Sequence, residues 1–358
     1  MYFKNLFLRN LSYPVLTLFI LLFVIFYPSL SISKIFKIQD IQIEEPFNLD
    51  FDKEKVINKA FVIAFDELVS SLITSKDKNK IKNTSLQDIK YLIDSFTINN
   101  EQFQNKNYLA NLDVNFNKPN ILNFFEKKNI FPSMFKKKNF LTILILIDND
   151  ENKALLFEKN PFYRNWNLSE DQSSQINFVL HEDDLFDLKV INENKNNIEN
   201  FKFDEIIKRY DLKDYIVSIY FKNKNKVNVL SKIFFNNQMK IFNLSYSEIS
   251  NLEDQKVNMI IKQNKILFED VWKKANQINT SIKLPINLVI NSKETNKILE
   301  LEKYLKEIDL VSNFFITNFN NQETTYKVIF NGRPDQFLAL MEENQFFLNI
   351  DEKIWKVK

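Results

Sequence analysis

Residues 285–350, PINLVINSKETNKILELEKYLKEIDLVSNFFITNFNNQETTYKVIFNGRPDQFLALMEENQFFLNI, decide how the end of this chain folds. Hydropathy gives strand 285–290, helix 293–306, strands 309–319 and 324–331, helix 334–343 and strand 345–350. This β-α-β-β-α-β order is the ferredoxin-like split pattern. Asn331-Gly332 falls in the connection after the third strand, where positive φ is expected, and Pro334 suits the first turn of the next helix.

Toward the N-terminus, residues 253–277 read as a long helix whose apolar stripe is Ile260, Ile261, Leu267, Phe268, Val271, Trp272 and Ala275. Strands 227–235 and 238–246 meet at Asn236-Asn237, a tight hairpin turn. Phe140–Ile147 is nearly all apolar, as a strand buried on both faces must be. Strand 176–180, helix 203–210 and strand 214–221 complete a layered α/β unit.

Further upstream come strand 34–45, helix 52–74, helix 85–93, strand 108–116 and helix 119–129. Ile57, Phe61, Ala64, Phe65, Leu68 and Leu72 share one face of helix 52–74, with Asp50 or Asp52 as its cap. Tyr108, Ala110, Leu112, Val114 and Phe116 alternate with mostly polar residues, the period of a half-buried strand. The expected architecture is α+β and α/β: a signal or anchor helix at 1–33, then three small mixed domains at 34–138, 139–250 and 251–358. The last combines the long helix with the ferredoxin-like pattern.

Composition removes many chemistries. The 358 residues include one Gly, one His and no Cys. One Gly cannot build G-x-G-x-x-G or a P-loop, whose glycines let backbone N–H groups approach a phosphate. Without Cys there is no disulfide, thiolate zinc site, Cys nucleophile or lipid-modified Cys. His181 alone cannot supply a two-His metal site, and a Ser-His-Asp triad would have to use it. The 48 basic residues, only four of them Arg, are interspersed with 46 acidic ones, so no footprint for nucleic acid emerges. Lys, Asn, Ile and Phe richness matches an AT-rich genome. Lys136-Lys137-Lys138, with Lys127 and Lys128, is the sole basic cluster and reads as a solvated loop.

Lys4 and Arg9 precede an uncharged run from Asn10 to Ser33, nearly all apolar from Val15 to Tyr27 and ending in small residues before Lys34. These are the n-, h- and c-regions of a secretory signal, with Ser31 and Ser33 at the cleavage site. The competing reading is an uncleaved inner-membrane anchor over residues 11–33, long enough to span a bilayer. Both place the remainder in the periplasm.

Several stretches then point to a family: Lys59-Ala60, Ala64-Phe65 and Leu68–Leu72, the strand Tyr108–Phe116, the buried strand Leu141–Ile147, the turn Leu180–Asp187, Arg209-Tyr210, and Gly332 near the end. In this combination the chain resembles the bacterial envelope family called domain of unknown function 2066. His181 stands where that family tends to have Pro. The resemblance implies location in a Gram-negative envelope and a similar fold, and no known activity.

His181, Glu182, Asp183, Asp184 and Asp187 form the densest polar cluster. They read as a solvated loop whose acids cap the next element; the alternative is a hard-cation or general acid/base site at a strand's carboxyl end. Trp166 reads as a loop residue packed on the core rather than the lining of a carbohydrate groove, and Trp272 and Trp355 as core. No catalytic residue, cofactor or metal is assigned. The sequence thus predicts an exported, non-enzymatic scaffold or binding module that meets envelope proteins or the cell wall. The alternatives are a hydrolase centred on His181–Asp187 and a bitopic membrane protein in an envelope complex.

Overall fold

The computed structural model describes residues 36–168, 173–249, 251–350 and 354–358. The signal or anchor expected at 1–33 lies outside them. Among the described residues the fold is mixed α and β, with three sheets and ten α-helices, and no helix is long and apolar enough to cross a membrane.

The first sheet has the antiparallel order β1-β3-β2, from β1 (Lys37–Pro46), β2 (Ile93–Gln104) and β3 (Asn107–Phe116). Alternation in β3 buries Tyr108, Ala110, Leu112, Val114 and Phe116. Against that face lies α1 (Lys53–Leu72), which buries Ala60, Phe61, Ala64, Phe65, Leu68 and Leu72, with Val56 rather than Ile57 opening the stripe. Asp52 caps it, accepting from the Glu54 N–H at 2.9 Å. The short α2 (Ser75–Lys78), α3 (Leu86–Leu92) and α4 (Lys118–Lys127) follow, capped by Thr74, Ser85 and Asn117. The sequence predicts no strand between 93 and 108, and β2 corrects that. Its pairing with β3 shifts register between Ile93 and Ser95 and again between Asn99 and Gln102. Each shift moves the apolar residues out of the period of two from which strands are read.

The middle sheet is built on β4 (Lys138–Asp148). Its neighbours on one edge are β5 (Lys153–Leu155), antiparallel, and β6 (Ile176–Leu180), parallel. On the other edge lies parallel β7 (Tyr215–Asn223), then antiparallel β8 (Lys226–Phe235) and β9 (Gln238–Ser247). Between β5 and β6 the Leu144 carbonyl has no strand partner. The fully buried Asn160 donates to it at 3.2 Å while accepting from the Phe162 N–H at 3.0 Å, which caps α5 (Pro161–Asn165). One face of β4, with Phe140, Leu144 and Leu146, meets the stripe of α8 (Asp254–Ala275). The other face, with Leu141, Ile143, Ile145 and Ile147, meets Ile191 of α6 (Leu185–Asn194) and Ile206 of α7 (Asp204–Ile207). β4 is therefore buried on both faces, as its apolar run predicts. Helix 203–210 shrinks to the single turn of α7, because the Arg209 and Tyr210 N–H groups tighten onto the Ile206 and Ile207 carbonyls. Asn236 and Asn237 form the hairpin turn, both left-handed at φ 49° and 58°.

The last sheet contains β10 (Leu284–Asn291), β11 (Val311–Phe319), β12 (Glu323–Phe330), β13 (Leu348–Asn349) and β14 (Trp355–Val357), with α9 (Thr295–Glu307) and α10 (Pro334–Glu343). The order β11-β12-β10 is that of a split β-α-β-β unit. Beyond it the sequence reading needs correction. The strand expected over 345–350 is two residues long and lies at the sheet's far edge. The place beside β10 goes to β14, which runs parallel to it and has no counterpart in the sequence reading. Gln345 turns left-handed at φ 63° and Phe346 drops into the core, which cuts the expected strand short.

Gly332 also needs a different explanation. Its φ is not positive. A Cβ there would meet the Phe330 ring at 2.7 Å and the Gln336 side-chain oxygen at 2.8 Å. Phe330 is fully buried, and that Gln336 oxygen accepts from the Arg333 N–H. The single glycine is set by space rather than by turn conformation. Gly332→Ala is expected to cost about 1–3 kcal/mol of stability, the range for an overpacked site, in urea unfolding. A variant as stable as the parent would refute this account.

Candidate functional site

The polar cluster at His181–Asp187 follows directly from β6. The His181 N–H donates to the Thr142 carbonyl at 3.2 Å, extending the parallel ladder by one residue, and the chain then leaves the sheet. Asp184 caps α6, its Oδ1 accepting from the N–H groups of Phe186 at 2.6 Å and Asp187 at 3.3 Å. A carboxylate here satisfies open donors and faces the positive helix end. Glu182 and Asp183 point to solvent.

The His181 ring is fully buried beside Phe157, at 4.8 Å between ring centres, and edge-on to Tyr163 at 5.7 Å. Tyr163 donates its hydroxyl to the His181 carbonyl at 2.9 Å. Neither ring nitrogen has a hydrogen-bond partner of good geometry. Burial pushes the imidazole down to about 4; the Arg209 charge adds to this and the Thr142 carbonyl opposes it. His181 is therefore neutral at physiological pH. Phe157 itself is left-handed at φ 51°, a strained state for a bulky residue, held by burial of its ring.

Arg209 joins two of the acids. It donates to Asp184 Oδ2 at 2.8 Å and to Asp187 Oδ1, and it lies over the Phe186 ring at 5.4 Å. Asp187 is fully buried, with Oδ2 lacking a partner. The Tyr210 hydroxyl accepts from the Glu182 N–H at 2.7 Å. Arg209-Tyr210 thus straps the segment after α7 onto the start of α6.

The structure brings together Asp184, Asp187 and Arg209. It sends Glu182 and Asp183 outward and places His181 in an aromatic slot. Among the described residues, no group of three His, Cys, Asp or Glu side chains is placed to hold a metal ion. The arrangement does what caps and ion pairs do: it fixes a turn. Sequence reasoning missed Phe157 and Tyr163 as the walls of the His181 slot, because they precede it by a loop and carry no local signal. Trp166 is fully buried, edge-on to Phe178 at 5.5 Å and under the Lys265 ammonium at 5.3 Å. Trp272 is buried too, and Trp355 packs part-buried against Phe337 at 5.9 Å.

No family model and no curated protein matches the chain. A solved structure described as "Crystal structure of uncharacterized protein" is similar at 8% identity over 40% of this chain and 94% of that one, with a TM-score of 0.17.

Proposed function

We propose that this chain is an exported envelope protein of Gram-negative bacteria that works by binding rather than by catalysis. On this reading it belongs with the domain of unknown function 2066 family and meets envelope proteins or the cell wall from the periplasm. The observation that carries the proposal is the uncharged run from Asn10 to Ser33, flanked by Lys4 and Arg9 on one side and Lys34 on the other. The commitment of Asp184, Asp187 and Arg209 to one another supports a structural role for the most polar loop. The ferredoxin-like character of the last unit, in the β14-inserted form described above, belongs to the same reading.

The test is location and partners together. Protease added to spheroplasts is expected to digest the chain while sparing a cytoplasmic marker. The mass of the mature protein then separates the two export routes: a start near Lys34 marks a cleaved signal, and a start at Met1 marks the anchor. Crosslinking followed by purification is expected to recover envelope proteins. A protected chain that copurifies with cytoplasmic partners would end the proposal.

A further inference from the structure

The three sheets have edges, and an unpaired edge is a template for another strand unless something blunts it. Most of the described edges carry an identifiable device. β1 bulges between Ile38 and Ile41, where Asp40 is left-handed at φ 62°, and it carries Lys37, Asp40, Glu44 and Glu45. β2 shifts register twice and carries Asp94 and Glu101. β11 is uncharged but also shifts register twice, between Val311 and Asn313 and between Ile316 and Asn318. β5, β6 and β13 are three, five and two residues long.

β9 is long and regular, and it carries a single charge where β1 and β2 carry more. It is ten residues long, QMKIFNLSYS, with Lys240 as its single charge. It pairs with β8 without a register shift from Gln238 opposite Phe235 to Ser247 opposite Lys226. A two-residue hairpin makes the residues flanking the turn a hydrogen-bonded pair, and the pattern then alternates along the strand. Even-numbered residues of β9 thus bond to β8, and the N–H and C=O groups of Met239, Ile241, Asn243, Ser245 and Ser247 point away from the sheet. None of these groups has another backbone partner among the described residues. Met239 and Ile241 are exposed on one face, and Phe242, Leu244 and Tyr246 lie half-buried at the rim of the core on the other.

We propose that β9 is the dimer edge of this protein, pairing antiparallel with β9 of a second copy about a two-fold axis at Asn243. Self-pairing suits this strand. The axis at Asn243 overlaps residues 239–247 completely and keeps the lone charge off the axis: Lys240 lies opposite the partner's Tyr246, not opposite a second lysine. Phe242 lies opposite the partner's Leu244, so the half-buried apolar rim of each core becomes continuous with the other. Ile241 lies opposite the partner's Ser245. Odd-numbered residues are those with outward backbone groups, so this register also supplies the hydrogen bonds. The chain's net charge of only +2 adds little repulsion between copies. The two six-stranded sheets become one continuous sheet.

The test uses the full-length chain in mild detergent. Sedimentation is expected to give the mass of two chains for the parent and of one chain for Asn243→Lys, which sets two ammonium groups across the axis. Asn243 is exposed, so the circular dichroism and unfolding midpoint of the variant are expected to match the parent. Because the chain has no Cys, Asn243→Cys reports alone. A short bismaleimide is expected to join two copies through it, and not through Thr317→Cys on β11. A parent with the mass of one chain overturns the proposal. So does a dimer that survives Asn243→Lys or crosslinks equally through Thr317→Cys. Crosslinking of Asn243→Cys in cells to a different protein, in place of a second copy, also overturns it.

Discussion

Glu269→Ala is expected to lower the free energy of unfolding by about 3–5 kcal/mol, the range for breaking a buried ion pair by removing one partner. Glu269, on α8, sits where the middle sheet meets the end of α1. Its carboxylate accepts from the Ile176 N–H at 2.8 Å, the Gln175 N–H at 3.2 Å and the Ser174 hydroxyl, and it lies 3.7 Å from the Lys273 ammonium. Lys273 in turn donates to the Ser70 carbonyl. Gln175, fully buried, reaches the Ser71 carbonyl at 2.6 Å and the Ser133 hydroxyl at 2.8 Å. One carboxylate thus gathers donors from residues 174–176 and from the next turn of its own helix, and its loss leaves buried N–H groups and a buried ammonium without it. The control is Asp270→Ala on the same helix, whose bonds to Ser75 lie at the surface and are expected to contribute about 1 kcal/mol or less. Urea unfolding followed by tryptophan fluorescence measures both. Equal effects of the two substitutions would refute the assignment.

The second large effect concerns His181. Its folded value of about 4 lies below the ordinary 6.5, so between these values the unfolded chain binds a proton that the folded chain does not. Its contribution to stability is therefore complete above pH 6.5 and is lost as pH falls toward 4. The full loss is about 3 kcal/mol, because each pH unit between the two values corresponds to roughly 1.4 kcal/mol. His181→Phe keeps a ring in the aromatic slot and removes the two buried nitrogens that lack good partners. It is expected to match the parent within about 1.5 kcal/mol at pH 7.5, the usual range for a volume-conserving swap, and to become progressively more stable than the parent toward pH 4. Asp309 acts in the opposite sense. Burial pushes its carboxyl up to about 6, against the pull of Lys118, so the folded chain gains stability from it as pH falls from 6. The difference between parent and variant cancels that contribution. A difference that stays flat from pH 7.5 to 4 would show that His181 is not a buried neutral imidazole.

Legibility in the sequence follows local pattern. β3 and β4 are plain, because one has a strict period of two and the other has no polar interruption beyond Thr142 until Asp148. The Asn236-Asn237 turn is plain because asparagine tolerates the left-handed conformation that a two-residue hairpin demands. β2 is illegible, since two register shifts erase its period. So is β14: Trp355–Val357 is too short to show a period, and only its place beside β10 makes it a strand. The polar loop is legible as a cluster, and Asp184 as a cap. Its pairing with Arg209 is not, because 25 residues separate the two.

The sequence by itself determined the mixed class, most of the elements and the excluded chemistries, because these depend on residue type and near-neighbour spacing. It also carries the whole argument for export. Only the tertiary structure decided that Glu269 and Gln175 tie the middle sheet to the end of α1 and that His181 is neutral and enclosed. Nor could the sequence show that the single glycine answers to the Phe330 ring, or that β9 alone among the described edges is long, regular and nearly uncharged. Each of these depends on what lies opposite a residue in space. Burial, charge pairing and edge exposure are properties of neighbours far apart in the chain, and no local period encodes them.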